Sequence, residues 1–151
     1  NAADRVRASV EAANALPYAF TLTARAENYF TGTPDLADTI ARLQAYQDAG
    51  AHVLYAPGLR TIDDIKTVLA SVDRPLNVLL GPMDGFVPLP DLFALGVTRI
   101  SLGSALSNAA FGALQSAAQE LQGPGTLGFL GGAISGAALE TLLKAGAQPQ
   151  S

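Results

Sequence analysis

Apolar and polar residues follow two different spacings along this chain. Residues 20–24 alternate apolar side chains with threonines, which predicts a strand that runs directly into Arg25. Residues 34–49 instead repeat their apolar positions at helical spacing, and Gly50 is well placed to end that helix in a left-handed conformation. The chain therefore passes from a strand to a helix within about one β/α unit.

The same spacings recur along the rest of the sequence. They predict further strands at residues 51–56, 76–80 and 96–102, and helices at residues 4–16, 61–70, 91–95, 104–122 and 135–144. Thr61 and Asp64 form a capping-box-like helix start. Gly50 and Gly96 each close a helix just before a strand, which is a weak internal repeat.

The long alanine-rich helix is predicted to bury one stripe of its surface and to stop at Gly123. The stripe consists of Leu106, Ala110, Ala113, Ala117 and Leu121. Residues 83–90 are predicted to form a longer loop, residues 128–132 a glycine-rich link, and residues 147–151 a disordered tail.

Four alternating strand and helix segments predict an α/β fold with a parallel sheet. Two arrangements remain open: half of an eight-stranded (β/α)₈ barrel, or an open doubly wound sheet. In the barrel interpretation, residues 1–146 form the second half of a single domain. Because the first predicted element is a helix without a strand before it, we expect an N-terminal portion to precede Asn1.

Composition excludes several functional classes. The chain has 151 residues, 49% of them hydrophobic, which is enough for a sizeable core. Its net charge of −4 argues against nucleic acid or an anionic membrane as a partner. There is no cysteine, which excludes a disulfide scaffold, a cysteine-based metal site and a cysteine nucleophile within this chain. No signal peptide or membrane-length apolar run is visible, and a cytoplasmic location is the default expectation.

The candidate chemistry lies at the end of the first strand, where Arg25, Glu27 and Asn28 precede a helix. Charged residues at the carboxyl end of a buried parallel strand are the layout of an α/β active site, although a surface ion pair has the same pattern. Thr33 is the expected N-cap of the helix that follows. His52, the only histidine, starts a strand without a second ligand nearby, and we interpret it as structural.

Five stretches, in this order, resemble the second half of the isocitrate lyase / phosphoenolpyruvate mutase superfamily. They span nearly the whole chain and read Phe20-Thr-Leu-Thr-Ala-Arg-Ala-Glu-Asn28, Asp38-Thr-Ile-Ala-Arg-Leu-Gln-Ala-Tyr46, Ala49-Gly-Ala-His-Val-Leu-Tyr-Ala-Pro-Gly58, Arg74-Pro-Leu-Asn-Val-Leu79 and Gly96-Val-Thr-Arg-Ile-Ser-Leu-Gly-Ser104. The likeness is greatest to the carboxyvinyl-carboxyphosphonate-phosphorylmutase-like branch.

The resemblance implies the C-terminal half of a (β/α)₈ barrel whose last helix is often exchanged between subunits of a homodimer or homotetramer. It also implies a Mg²⁺-dependent enzyme that makes or breaks a C–C or P–C bond in a small 2-oxo- or 2-hydroxy-carboxylate. An enolate-like oxyanion forms in that chemistry, and fixed positive charge stabilises it.

Residue roles follow from the same resemblance. Arg25 matches the arginine of the family's Ala-Arg-Thr-Asp-like motif, and its fork can hold a carboxylate or phosphonate. Glu27 takes the place of the motif's acid and would orient Arg25 or a metal-bound water, unless it forms a simple ion pair. Asn28 and Tyr55 lie near strand ends that would face the substrate.

Other positions match the family pattern only in part or depart from it. Asn77 is a candidate substrate-binding residue of its strand, and Ser101, with Gly103 and Ser104, would bind an anion or merely cap a helix. The metal-binding aspartates and the mobile lid of the family precede the arginine motif, so we expect the metal ligands upstream of this chain. Pro57 stands where some members carry a glutamate or histidine. A catalytically inactive binding or assembly module is therefore the alternative.

Overall fold

The structure, a computed structural model, describes residues 1–80 and 87–146. The chain divides into two compact units, Asn1–Gly103 and Ser104–Ser151. We call the first the sheet unit and the second the helical unit. The predicted tail at residues 147–151 and residues 83–86 of the predicted loop lie outside the described residues. The end of the predicted loop is wrong, because the next helix already begins at Leu89.

The sheet unit alternates helices and strands throughout. Its elements are α1 (Ala2–Asn14), β1 (Thr23–Arg25), α2 (Leu36–Asp48), β2 (Val53–Tyr55), α3 (Ile62–Leu69), β3 (Leu76–Leu79), α4 (Leu89–Ala94) and β4 (Arg99–Ser101). All four strands pair in parallel, in the order β1-β2-β3-β4. The predicted strands are confirmed in number and place, but each is shorter than its apolar run.

The strand order decides between the two predicted architectures. A doubly wound sheet reverses its strand order and carries helices on both faces. Here the order is sequential, and right-handed crossovers then place successive helices on one face. One core cluster accordingly joins strand residues Leu54 and Leu76 to Leu43 of α2, Ile65 of α3 and Leu92 of α4. The doubly wound alternative is wrong, and the fold is that of half a (β/α)₈ barrel.

Local turn chemistry fixes several element ends as predicted. Gly50 and Gly96 both have φ of +96°, the left-handed conformation in which glycine avoids a Cβ clash. The Thr61 side chain accepts a hydrogen bond from the Asp64 N–H at 3.0 Å, which caps α3. The structure therefore confirms the predicted repeat of helix, left-handed glycine and strand.

The start of α2 corrects the prediction that Thr33 is its N-cap. Asp35 caps the helix instead, because it adopts an extended backbone and its side chain accepts from the Asp38 N–H at 3.0 Å. The Thr33 N–H donates to the Asn28 carbonyl within the preceding turn. The first strand also begins later than its pattern indicates, and Phe20 is 50% exposed.

The helical unit contains α5 (Ala105–Gln122), a 3₁₀ helix (Gly128–Gly132) where a glycine-rich link was expected, and α6 (Gly136–Gly146). α5 ends just before Gly123 as predicted. The predicted burial of its apolar stripe is wrong, because no residue of α5 is buried. Two helices and a short turn are too small to enclose an apolar stripe. Within the described residues, no helix combines the length and apolar character that a bilayer crossing requires.

Candidate active site

The four strands bring polar side chains into one row across the sheet. The register pairs Arg25 with Tyr55, Tyr55 with Asn77, and Asn77 with Arg99. Ser101 lies two residues beyond Arg99 and therefore on the same face. These five residues, which we call the polar row, alternate with the apolar residues that pack under the helices. Period-two alternation thus separates a polar face from the helix-covered face.

Arg25 is held by Glu27 at one end of the polar row. Its Nε forms a salt bridge with Glu27 Oε1, and its Nη2 donates to Oε2 at 3.1 Å. This contact uses the side of the guanidinium that carries Nε. The Nη1 N–H groups point away from that side, so Arg25 keeps donors for a second anion. Both side chains are nearly half exposed, which leaves them accessible to a ligand.

Two aromatic rings flank the guanidinium of Arg25. Its Cζ lies 5.1 Å from the centroid of the Tyr55 ring and 5.6 Å from that of Phe30. Both distances are within the range of a cation–π attraction. Together with Glu27, the rings restrict the positions that the long side chain adopts, which lowers the entropic cost of binding an anion.

Hydrogen bonds connect the remaining members of the polar row. Arg99 Nη1 donates to Asn77 Oδ1 at 2.9 Å, and Asn77 Nδ2 donates to Ser101 Oγ at 2.9 Å. Ser101 Oγ lies 3.5 Å from Tyr55 Oη, at the outer limit of a hydrogen bond. Asn77 is only 1% exposed, so its amide is fixed from both sides. Three residues predicted for the site, Tyr55, Asn77 and Ser101, are therefore neighbours in the structure.

Asn28 is placed differently from the polar row. It is buried, and its Nδ2 donates to Thr39 Oγ1 at 2.6 Å and to the Asp35 carbonyl at 3.1 Å. These bonds tie the loop after β1 to the start of α2. Its Oδ1 is buried without a partner among the described residues, and is the part of this side chain that remains for a water or a ligand.

The other positions considered from sequence take structural places. His52 Nδ1 accepts a hydrogen bond from the Leu22 N–H at 2.9 Å, which joins the starts of two adjacent strands. Pro57 follows β2 and is fully buried. Ser104 lies in the helical unit, makes no side-chain cap, and accepts from Asn108 Nδ2 at 3.1 Å. An anion site at Gly103 and Ser104 stays a prediction.

Two cavities border the residues around Arg25. One of about 440 Å³ lies between the loops that follow β1 and β2 and the first turn of α3. It is lined by Tyr29, Phe30, Pro34, Gly58, Arg60 and Asp64. Burial raises the pKa of the Tyr29 phenol, and the nearby Asp64 and Asp35 carboxylates raise it further. A second cavity of about 240 Å³ lies between α1 and the open edge of β1, and Arg25 is among its lining residues.

The described residues do not fit a metal centre on their own. Residues 1–80 and 87–146 contain no group of three or more His, Cys, Asp or Glu side chains that could hold a metal ion. Glu27 is the carboxylate that borders the polar row, and it is engaged by Arg25. What the row offers is donors and positive charge, which suits an anion.

Sequence reasoning missed Phe30 and Arg99. Arg99 was visible in principle, because it lies two residues before Ser101 in a strand and alternation puts both on one face. Phe30 carried no such signal, since its position depends on the fold of the loop after β1.

Comparison with known proteins confirms the resemblance seen in the sequence. The family model for phosphoenolpyruvate phosphomutase matches residues 1–122. An uncharacterized protein of Mycobacterium tuberculosis is 33% identical over 84 residues, which cover 55% of this chain and 31% of that protein. The chain therefore spans about a third of that relative's length.

Solved structures agree in fold. The crystal structure of a candidate lyase/mutase from Burkholderia cenocepacia is 49% identical, with a TM-score of 0.89, over 95% of this chain and 52% of that one. A phosphonopyruvate hydrolase in complex with oxalate and Mg²⁺ is 21% identical, with a TM-score of 0.74, over 95% of this chain and 51% of that one. At that identity the second match shows the fold alone.

Proposed function

Since this chain belongs to the phosphoenolpyruvate phosphomutase family, we propose that it forms the substrate-anion wall of a (β/α)₈ barrel lyase or mutase. The reaction makes or breaks a C–C or P–C bond in a small 2-oxo- or 2-hydroxy-carboxylate through an enolate-like intermediate. The observation that carries this proposal is the position of Arg25, which lies at the carboxyl end of a parallel strand with donors free beside Glu27.

Arg25 and Glu27 have distinct chemical roles in this proposal. The free Nη1 side of Arg25 binds the substrate's carboxylate or phosphonate, and its charge stabilises the enolate-like oxyanion as it forms. Glu27 orients the guanidinium through the opposite side. Because the donors are in place before reaction, little reorganisation is needed when charge develops.

Tyr55, Asn77 and Ser101 form the remainder of the proposed binding surface. Their polar contacts connect Asn77 and Ser101 to Tyr55, whose ring lies beside the guanidinium of Arg25. Asn28 contributes through its unpartnered Oδ1 or by holding the loop after β1 in place. A site of this kind selects small anionic substrates over neutral ones, because unpaired guanidinium donors penalise the neutral ligand.

The site is completed, in this proposal, by a preceding half-barrel. Among the described residues β1 pairs only with β2, and β4 pairs only with β3, so each has an open edge. Open edges and the polar row are both covered when the barrel closes. The cavity between α1 and the edge of β1 has room for part of a neighbouring strand.

We assign the Mg²⁺ requirement to the complete enzyme. The described residues offer no ligand cluster, so its ligands belong to the part of the barrel that precedes this chain in our proposal. The bound ion would supply Lewis-acid stabilisation of the enolate.

We also propose that the enzyme is a homodimer or homotetramer in which the helical unit packs on another subunit. That unit exposes many large apolar side chains for its size, and exposed apolar patches mark interaction surfaces. They include Leu106, Phe111, Leu114, Leu121, Leu127, Leu130, Leu142 and Leu143.

Substituting Arg25 in the complete protein tests the proposal. Arg25→Ala should reduce kcat/KM on 2-oxo- and 2-hydroxy-dicarboxylates and weaken binding of oxalate, an enolate mimic, by about tenfold to hundredfold. Arg25→Lys should fall between, since it keeps the charge and loses the fork. Arg42→Ala is the matched control, because Arg42 also pairs with a carboxylate, Asp38, at 2.7 Å on the exposed side of α2.

The outcomes separate the candidate functions. Unchanged oxalate binding in Arg25→Ala would discard the site. Arg25-dependent oxalate binding without turnover of any tested substrate would favour the inactive binding module. Pro57 motivates that alternative, because it stands where some family members carry a glutamate or histidine.

A further inference from the structure

Two hydrogen bonds of the polar row have a direction that is fixed by the chemistry of their donors. A guanidinium donates and never accepts, so Arg99 fixes which atom of the Asn77 amide faces it, namely Oδ1. The Nδ2 group must then face Ser101, and it donates to Ser101 Oγ. The orientation of a buried amide is normally inferred from such partners, and here a donor-only partner determines it.

The direction continues to Tyr55. Since Ser101 Oγ receives a hydrogen bond from Asn77, its own proton is available for the next acceptor, and Tyr55 Oη lies 3.5 Å away. Apo-state hydrogen bonds at active sites are often long and shorten when substrate binds. When Tyr55 Oη accepts a hydrogen bond from the Ser101 hydroxyl, its own O–H is available to donate to a different acceptor. The Tyr55 ring lies beside the guanidinium of Arg25, where the proposed substrate anion binds.

We infer that Arg99 is a positioning residue: by fixing the Asn77 amide it directs a hydrogen-bond chain through Ser101 that dedicates the Tyr55 hydroxyl to donating to the substrate oxyanion. This inference rests on the proposed function. It assigns Tyr55 as the second donor beside Arg25, and it identifies the class of ligand atom that Tyr55 meets as an oxyanion that accepts hydrogen bonds.

A double-mutant cycle between Asn77→Asp and Tyr55→Phe tests the direction. The introduced carboxylate accepts from both Arg99 and Ser101, so the Ser101 hydroxyl donates to it and Ser101 Oγ becomes an acceptor that competes with the ligand for the Tyr55 hydroxyl. Asn77→Asp should therefore weaken oxalate binding, and more so with Tyr55 present than with Phe at that position. We expect the two factors to differ by about tenfold, the worth of one charge-assisted hydrogen bond.

The double-mutant cycle distinguishes the direction of the hydrogen bonds from the effect of the added negative charge. The added negative charge repels an anion equally in both backgrounds, so equal factors would overturn the inference. Ser101→Ala with Tyr55→Phe is a second cycle that introduces no charge, and it applies if Asn77→Asp does not fold. There too we expect a non-additive loss, and additivity would overturn the inference.

Substituting Arg99 gives an independent readout. Arg99→Lys keeps a donor-only side chain and should hold oxalate affinity within about threefold of the parent protein, whereas Arg99→Met should lose about tenfold. Equal loss in both would contradict the positioning role. Failure of the proposed function is distinguishable: Arg25→Ala would then leave oxalate binding unchanged, whereas failure of this inference alone leaves the Arg25 effect intact.

Discussion

Alternate residues of the same strands form the two faces of the sheet, but one face packs against the helices and the other carries the polar row. Ala24, Leu54 and Val78 point to the helices and are buried in the core cluster. Their neighbours Arg25 and Tyr55 belong to the polar row, where Arg25 is accessible and ion-paired. A strand of three residues thus serves both stability and chemistry, because successive side chains point to opposite faces.

This difference indicates that alternate residues of a strand should serve different properties. One set should matter for folding stability and the other for ligand binding. The helix-covered face is buried and closely packed, so substitutions there should lower the free energy of unfolding through lost burial. The polar row is held by hydrogen bonds and ion pairs, and exposed ion pairs such as that of Arg25 contribute little to folding. A substitution on the helix-covered face should therefore lower the free energy of unfolding, whereas a substitution of Arg25 should weaken ligand binding and leave that free energy nearly unchanged.

Leu54→Ala should have the largest effect on folding. Leu54 is 0% exposed, and its removal leaves a cavity among α2, α3 and the strands that does not fully collapse. We expect the free energy of unfolding to fall by about 2–5 kcal/mol, measured by urea denaturation of the complete protein. A loss below about 1 kcal/mol would mean that this face is not a packed core.

Arg25→Met should have the smallest effect on folding. The Arg25–Glu27 pair is nearly half exposed, and the substitution keeps much of the apolar stem beside Phe30 and Tyr55. We expect the free energy of unfolding to change by no more than about 0.5 kcal/mol in the same urea assay. A loss of about 2 kcal/mol or more would make Arg25 a structural residue.

The features that were predictable from sequence depend on local chemistry. A left-handed glycine after a helix, as at Gly50 and Gly96, and a threonine cap at Thr61 involve residues that are close in the chain. Arg25 and Glu27 are two residues apart, so their pairing was also accessible. The ordered resemblance then supplied the barrel architecture, which local patterns alone had left open between two folds.

The features that were missed depend on how distant segments meet. The contact between Tyr55 and Ser101 joins strands that are not adjacent in the sheet, so no sequence motif indicates it. The role of Arg99 depends on the register of β3 and β4, which places it opposite Asn77. For α5, apolar spacing predicted a buried stripe, but spacing does not tell whether the rest of the chain packs against it.

The most direct test of the central claim is a crystal structure of the complete protein with oxalate bound. We predict an oxalate oxygen within about 3 Å of the Arg25 guanidinium, on the side away from Glu27, with the Tyr55 hydroxyl donating to the same ligand. Oxalate bound away from the polar row, with Arg25 still paired only to Glu27, would contradict it.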